Sequence, residues 1–312
     1  MTGREELLDE LRPLAFRVAY RMLGSVSEAE DIVQEALLRV HQALDRDEAI
    51  ASPQAYVTTV ATRLAIDELR SARARRELYV GEWLPEPIIT DDPEDPARQA
   101  EIADSISMAM LLVLESLTPE ERAAFLLHDA FDYPYSEIAP IIGKNEDNAR
   151  QLASRARRHL GAQRPRFQTT SEHQNELARR FFVAADTGEL AELEALLADD
   201  VVLSGDGGGK VPALARSVQG RSRVAHTLHN WAKARSKIAG SISFRPVELN
   251  GGPGALLLDA DNRVAGALAL EIADGHITRV MSVVNPEKLA HLGTVANLGE
   301  LFKSIARSER ET

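Results

Sequence analysis

Asn148, Gln151, Arg155 and Arg158 carry side chains suited to reading nucleic acid, at a spacing that gathers them on one side of a helix. Asn and Gln bond an adenine edge at two points, Arg does the same with guanine, and each can also hold a phosphate. At about 100° per residue, Ala149, Ala153, Ala156 and Leu160 fall in a narrow arc well away from these four and face a core. Upstream, Ser136 to Ile142 reads as a short helix and Gly143-Lys144 as a turn, so Ser136–Leu160 has the layout of a helix-turn-helix. In that motif the second helix enters the major groove. An ordinary helical hairpin with a solvated arginine face is the alternative that the pattern leaves open. Pro140 departs from the usual first helix by removing one backbone donor.

Other residues suggest other chemistry. Gly205-Asp206-Gly207-Gly208-Gly209-Lys210 invites comparison with a phosphate cradle, but Val211 follows the lysine where a hydroxyl is needed. A flexible loop tip, compatible with an interaction loop, is expected instead. His226 and His229 lie one turn apart on a helix beside Trp231, and Asp206, Asp259 and Asp261 sit near strand ends, so acid–base catalysis is a rival reading. There are no cysteines. This excludes disulfides, thiolate–zinc centres and thiol nucleophiles, and no third ligand joins the two histidines, so neither a metal nor a cofactor is expected.

The chain has 312 residues, enough for two or three domains, with 44% hydrophobic and 27% charged residues and a mean hydropathy of −0.21. Its net charge of −12 argues against a nucleic-acid partner only as an average. Residues 148–166 hold six arginines and no acid, residues 70–76 hold four arginines and no acid, and residues 79–104 hold eight acids and Arg98. The apolar run around Met108–Leu114 is far short of the roughly 20 residues of a membrane span. Without a signal-peptide pattern at Met1–Glu6, a cytoplasmic protein with no membrane partner is expected.

The elements that must position these residues are legible in the periodicity. Residues 5–78 read as helical, with a break or bend at Pro13, an end at Gly24-Ser25, Ser27 as the next N-cap and Ser52-Pro53 as another start. Four prolines between Tyr79 and Pro96 mark a linker. Helical spacing resumes through Ile102, Ile106, Met110 and Val113, and Thr118-Pro119-Glu120-Glu121 opens a helix through His128. After Pro165 the texture becomes α+β. Two helices (about 173–187 and 189–198) precede strands at 201–204, 242–249 and 255–258, and Asp274-Gly275 turns a hairpin.

Met22-Leu23-Gly24-Ser25, Glu28 to Ala36 and Ala65 to Arg70 resemble region 2 of the extracytoplasmic-function (ECF) bacterial sigma factors, and Leu117 to Arg122 with the Ser136–Leu160 hairpin resembles region 4. The remainder resembles a SnoaL-like α+β cone fold. Trp83-Leu84-Pro85-Glu86-Pro87, Asp206-Gly207-Gly208-Gly209-Lys210 and Asn285-Pro286-Glu287-Lys288 mark the sigma-factor subgroup with that extension, although Glu287 stands where Asp is usual. The resemblance implies a multidomain protein: two all-α sigma domains, a region 2 helical bundle at 1–78 and a region 4 helix-turn-helix at 105–165, an acidic Pro-rich linker at 79–104, and a SnoaL-like regulatory domain at 171–312.

By the same resemblance, Asn145, Asn148, Arg150, Gln151, Ser154, Arg155 and Arg158 read the upstream (−35) promoter element, and Tyr56, Thr59, Arg63, Arg70 and Arg73 engage the downstream (−10) element. Glu28, Asp31, Gln34 and Glu35 dock on the β′ clamp helices of core RNA polymerase, whose β flap receives region 4. The Trp83–Pro85, Asp206–Lys210 and Asn285–Lys288 segments are expected where the C-terminal domain, linker and region 2 meet, so that the domain modulates initiation in cis, with a small ligand in that domain left open. A ligand-responsive helix-turn-helix regulator without polymerase, and an isomerase- or hydrolase-type cone domain fused to a DNA-binding module, are the alternatives.

Overall fold

A computed structural model describes residues 3–46, 50–76, 79–91, 106–161, 171–236 and 242–297. They cluster into two compact units. One holds three long helices and the helix-turn-helix; the other holds residues 79–91, Ser107–Ala109 and the described residues from 171 onward.

In the first unit, α1 (Gly3–Leu23) packs on α2 (Val26–Asp45) and α3 (Pro53–Arg76). α1 runs through Pro13 without a break. The proline costs about 3 kcal/mol, and burial of Leu11, Ala15, Phe16, Val18, Ala19 and Met22 offsets it. Gly24, at φ 67°, ends the helix. Ser25, not Ser27, caps α2: its backbone is extended and its hydroxyl accepts from the Glu28 amide at 3.2 Å. The Ser52 hydroxyl accepts from the Ala55 amide at 3.2 Å, so α3 starts where the Ser-Pro pair predicts.

α4 (Met108–Leu114) leads into α5 (Pro119–Asp129), which starts where expected and opens with a capping box: Thr118 Oγ1 accepts from the Glu121 amide and the Glu121 side chain accepts from the Thr118 amide. α6 (Tyr135–Ile141) and α7 (Glu146–Gly161) form the helix-turn-helix across Gly143 at φ 67°. α6 has only seven residues, and Pro140 lies in its last turn.

The second unit is the expected α+β domain. α8 (Ser171–Thr187) and α9 (Leu190–Leu196) lead into β1 (Leu197–Asp206) and the short β2 (Val218–Gln219). α10 (Arg221–Arg235) is followed by β3 (Ser243–Leu249), β4 (Gly252–Leu258), β5 (Val264–Ala273) and β6 (His276–Val283). The sheet order is β2-β1-β6-β5-β4-β3, antiparallel except where β1 meets β6 in parallel. Asp274 and Gly275, both at positive φ, turn β5 into β6, and Asn250-Gly251 does the same between β3 and β4.

One face of the sheet packs Val201, Leu203, Leu268, Leu270 and Val280 against Phe181, Phe182, Leu193 and Leu228 of the helices. β5 is buried along nearly its whole length, so its second face is covered too. Residues 79–91 form a strap on the domain. Leu84 and Ile88 are each 1% exposed, Ile89 bridges Leu249, the Ile88 amide donates to the Asn250 side-chain Oδ1 and the Asn250 amide donates to the Ile88 carbonyl, both at 2.9 Å. Composition marks this stretch as linker; its apolar side chains make it part of the folded domain.

Candidate nucleic-acid interface and linker clasp

α7 has the phase its sequence predicts. Ala149, Leu152, Ala153, Ala156 and Leu160 are buried, while Asn148, Arg150, Gln151, Ser154, Arg155 and Arg158 are exposed. Asn145 stands just before the helix, and its Oδ1 accepts from the Asn148 amide at 2.8 Å, so it acts as the N-cap. Arg150 pairs with Glu146 at 2.9 Å and Arg155 with Glu121 at 3.1 Å. Arg158 has no partner among the described residues. A helix with one polar, donor-rich face and one apolar face can lie in a groove without disturbing its own core.

On α3, Tyr56 and Thr59 are half-buried, and Thr59 bonds the Ala55 carbonyl at 2.7 Å. Arg63 donates to the Ile141 and Pro140 carbonyls at 3.2 and 2.8 Å. Arg70 pairs with Asp67 at 3.0 Å and Glu120 at 2.6 Å. Burial pushes the Glu120 carboxyl up, but the hydrogen bond and charge of Arg70 outweigh it and hold it below its ordinary value. Arg73 lies in the described helix, but its side chain is outside the described residues.

On α2, Asp31 and Gln34 are exposed and Glu28 and Glu35 half-buried, with Glu35 bonded to Arg39 at 2.7 Å. One turn beyond Gln34, Leu38 is 48% exposed. The apolar periodicity of α2 gave no notice of it, because Leu38 falls outside that stripe. A large apolar side chain left in water is the signal that marks it as a candidate for contact with a partner.

The second unit gathers all three predicted regulatory segments into a clasp. Asp206 is fully buried at the end of β1 and receives four donors: Tyr79 Oη at 2.6 Å, the Leu84 amide at 2.9 Å, the Gly208 amide at 3.0 Å and Lys288 Nζ at 2.7 Å. Lys288 also donates to the Leu84 carbonyl and lies 4.2 Å from the Trp83 ring centroid and 5.1 Å from that of Tyr79. Asn285 Nδ2 donates to Tyr79 Oη at 2.9 Å. Burial, then the hydrogen bond to the Asp206 carboxylate, pushes the Tyr79 phenol well up and keeps it neutral.

The glycine loop is built in rather than a free tip. A Cβ on Gly207 would stand 2.4 Å from the Val211 carbonyl oxygen, and one on Gly208 2.3 Å from Asn285 Nδ2. Pro286 opens a one-turn 3₁₀ helix capped by Asn285, which places Lys288, while Glu287 points outward to pair with Lys210. The structure therefore brings Trp83, Leu84, Pro85, Asp206–Lys210 and Asn285–Lys288 together. Tyr79, Glu82 (bonded to the Ser217 amide at 2.8 Å) and His291 (on the Pro87 carbonyl at 2.7 Å) complete the set and were not foreseen.

The rival catalytic groups are engaged in the backbone. His226 and His229 contact the Ser222 and Gly188 carbonyls at 2.7 and 2.5 Å, and Asp259 holds the Asp261 and Arg263 amides of a turn. Among the described residues, no group of three or more His, Cys, Asp or Glu side chains could hold a metal. A surface cavity of about 510 Å³ lies between α8, α10 and β3, where the Arg235 guanidinium stands 4.7 Å from the Phe244 ring centroid.

Comparison with known proteins agrees with this geometry. Residues 7–75 match Sigma-70 region 2 and residues 107–160 match Sigma-70, region 4. The chain is 38% identical over 289 residues to the ECF RNA polymerase sigma factor SigJ of Mycobacterium tuberculosis (strain ATCC 25618 / H37Rv), covering 90% of this chain and 91% of that protein. It is 32% identical over 277 residues to the probable ECF RNA polymerase sigma factor SigI of M. tuberculosis (strain CDC 1551 / Oshkosh), covering 87% and 90% respectively. The crystal structure of the M. tuberculosis extracytoplasmic function sigma factor SigJ superposes with a TM-score of 0.72 at 33% identity, over 90% of this chain and 96% of that one. With both sigma regions in order and a relative matched nearly end to end, the chain belongs to the extracytoplasmic-function RNA polymerase sigma factors, which direct promoter-specific transcription initiation.

Proposed function

We propose that this sigma factor recognises its promoter through α7 and α3, docks on core polymerase through α2, and is modulated in cis by its C-terminal domain. The observation that carries the reading is the exposed polar face of α7, opposite a fully buried alanine stripe. Arg158, Arg155 and Arg150 supply phosphate contacts on the upstream element, and Asn148, Gln151 and Ser154 face base edges. Arg63, Arg70 and Arg73 supply the same charge on the downstream element. Glu28, Asp31, Gln34, Glu35 and Leu38 present acids around one apolar side chain, which suits the basic β′ clamp helices.

Cis modulation is supported by chain order. The strap held by Asp206 and Lys288 is the segment that follows α3, so tightening or loosening the clasp changes how the sigma half is tethered. The protein acts in the cytoplasm, where polymerase works, and among the described residues no helix is long and apolar enough to cross a membrane. It needs no catalytic residue of its own.

Reconstituted transcription with core polymerase tests this. Promoter-dependent RNA should appear only when the chain is added and should fall with Arg158→Ala. Asp206→Asn or Trp83→Ala should change output at least about threefold. DNA binding without core-dependent RNA would sink the promoter reading, and unchanged output from both clasp variants would remove the cis modulation.

A further inference from the structure

Residues 207–247 hold eight lysines and arginines and no acid, in a chain whose net charge is −12. This block lies in the C-terminal domain, outside both proposed DNA faces. Three of its cations are paired: Lys210 with Glu287, Arg221 with Asp199 at 3.0 Å and Arg235 with Asp186 at 2.8 Å. Arg216, Arg223, Lys233 and Arg245 are exposed and have no partner among the described residues, and Lys237 lies outside them.

Two of the unpaired cations share one side of α10. At about 100° per residue, Arg223, His226, Asn230 and Lys233 fall within an arc of about 80°, and all four are exposed. Val224, Ala225, Leu228 and Ala232, which are buried, take the opposite side. The exposed stripe carries polar and cationic groups without the apolar or aromatic centre of a protein-docking surface. At a rise of 1.5 Å per residue, Arg223 and Lys233 stand about 15 Å apart along the helix. That is the axial span of about four phosphates on one DNA strand. Arg245 lies elsewhere: it alternates on β3 with Phe244, which packs toward the helices, so it belongs to the other face of the sheet.

We infer that the exposed side of α10 is a further DNA-contacting surface, which takes the phosphate backbone of the duplex flanking the element read by α7. The expected position of that contact rests on the reading of α7 as the upstream-element helix. Gly161 ends α7 and Ser171 starts α8, so the connection spans at most about 35 Å. With α7 on DNA, such a tether holds α10 at a roughly millimolar effective concentration of neighbouring backbone. Phosphate contacts too weak to hold DNA alone then add to the complex. They carry no base information, so the domain raises affinity without altering base preference.

The full-length chain, assembled with core polymerase on a promoter duplex extended at both ends, tests this. Arg223→Gln with Lys233→Gln removes two cations from exposed helix positions, and an unchanged melting temperature verifies the fold. The salt slope of binding should become shallower by about 1.8, at about 0.9 per lost contact. Arg245→Gln, a charge control on the other sheet face, should leave the slope as it is. Because the chain has no cysteines, Asn230→Cys can carry a single iron chelate that cuts nearby backbone. Cleavage should fall on duplex outside the stretch protected by α7. A slope unchanged by the α10 variant, or lowered as much per charge by Arg245→Gln, would overturn the proposal. So would a probe at residue 230 that cuts polymerase subunits and not DNA, since the stripe would then face an acidic protein surface. Arg158→Ala reports on α7 alone: if it leaves the slope unchanged while the α10 variant lowers it, the reading of α7 fails and the α10 contact does not.

Discussion

Asp206 and Lys288, 82 residues apart, form a buried ion pair at 2.7 Å whose members are 0% and 7% exposed. Opposite charges out of water are stable only when their remaining bonds are met, and here Tyr79, Leu84 and Gly208 meet them. Lys288→Met alone leaves a buried carboxylate without its cation and should destabilise the C-terminal domain by about 3–5 kcal/mol. Adding Asp206→Asn should recover part of that loss. Urea denaturation of the two singles and the double measures the coupling; strict additivity would mean that the two charges do not act as a pair.

Gly208 has a positive φ of 59° and no room for a Cβ beside Asn285. Gly208→Ala should cost about 1–3 kcal/mol by overpacking and loosen the strap. Faster proteolysis near Tyr79–Thr90, at an unchanged melting behaviour of the helical unit, would show it.

Arg158→Ala should weaken promoter binding about equally across sequences and lower the salt slope by about 0.9. Gln151→Ala should instead relax preference at one or two base pairs, by about 1–3 kcal/mol each. Binding titrations at several salt concentrations against single-base promoter variants separate the two effects. Identical behaviour would show that the α7 face has been misassigned.

Glu271 faces Arg279 across β5 and β6 at 3.4 Å, yet burial outweighs the pair and raises its carboxyl above the ordinary 4.5. A raised acid lowers native stability once it is forced to ionise, that is, above its folded value, and the penalty fades below the unfolded one. Glu271→Gln should therefore raise the melting temperature near pH 7 and lose that advantage toward pH 4. A variant less stable than the parent at neutral pH would mean that the Arg279 contact dominates.

The parts legible in the sequence are those governed by local rules. The α7 phase follows from the spacing of its alanines, and Thr118-Pro119-Glu120-Glu121 caps α5 as written. Where two local solutions compete, tertiary context decides: Ser25 rather than Ser27 caps α2 because Gly24 has already turned the chain. Pro13 fails to break α1 because the surrounding residues are buried on two helices. The strap was the harder case. Prolines and acids around Leu84 and Ile88 have linker composition, and only pairing with residues beyond 200 turns them into structure. The Glu120 and Glu121 contacts were equally hidden, since a capping acid looks the same whether or not a distant arginine reaches it.

The clasp also orders events during synthesis. Leu84 is bonded by Lys288, 204 residues later in the chain. At about 5–20 residues per second, the ribosome makes Leu84 roughly 10–40 s before the lysine that secures it. Both sigma regions leave the ribosome in that interval, ahead of the sheet on which the strap will lie. A nascent chain thus carries both sigma regions before its clasp can form, for a period set by translation speed.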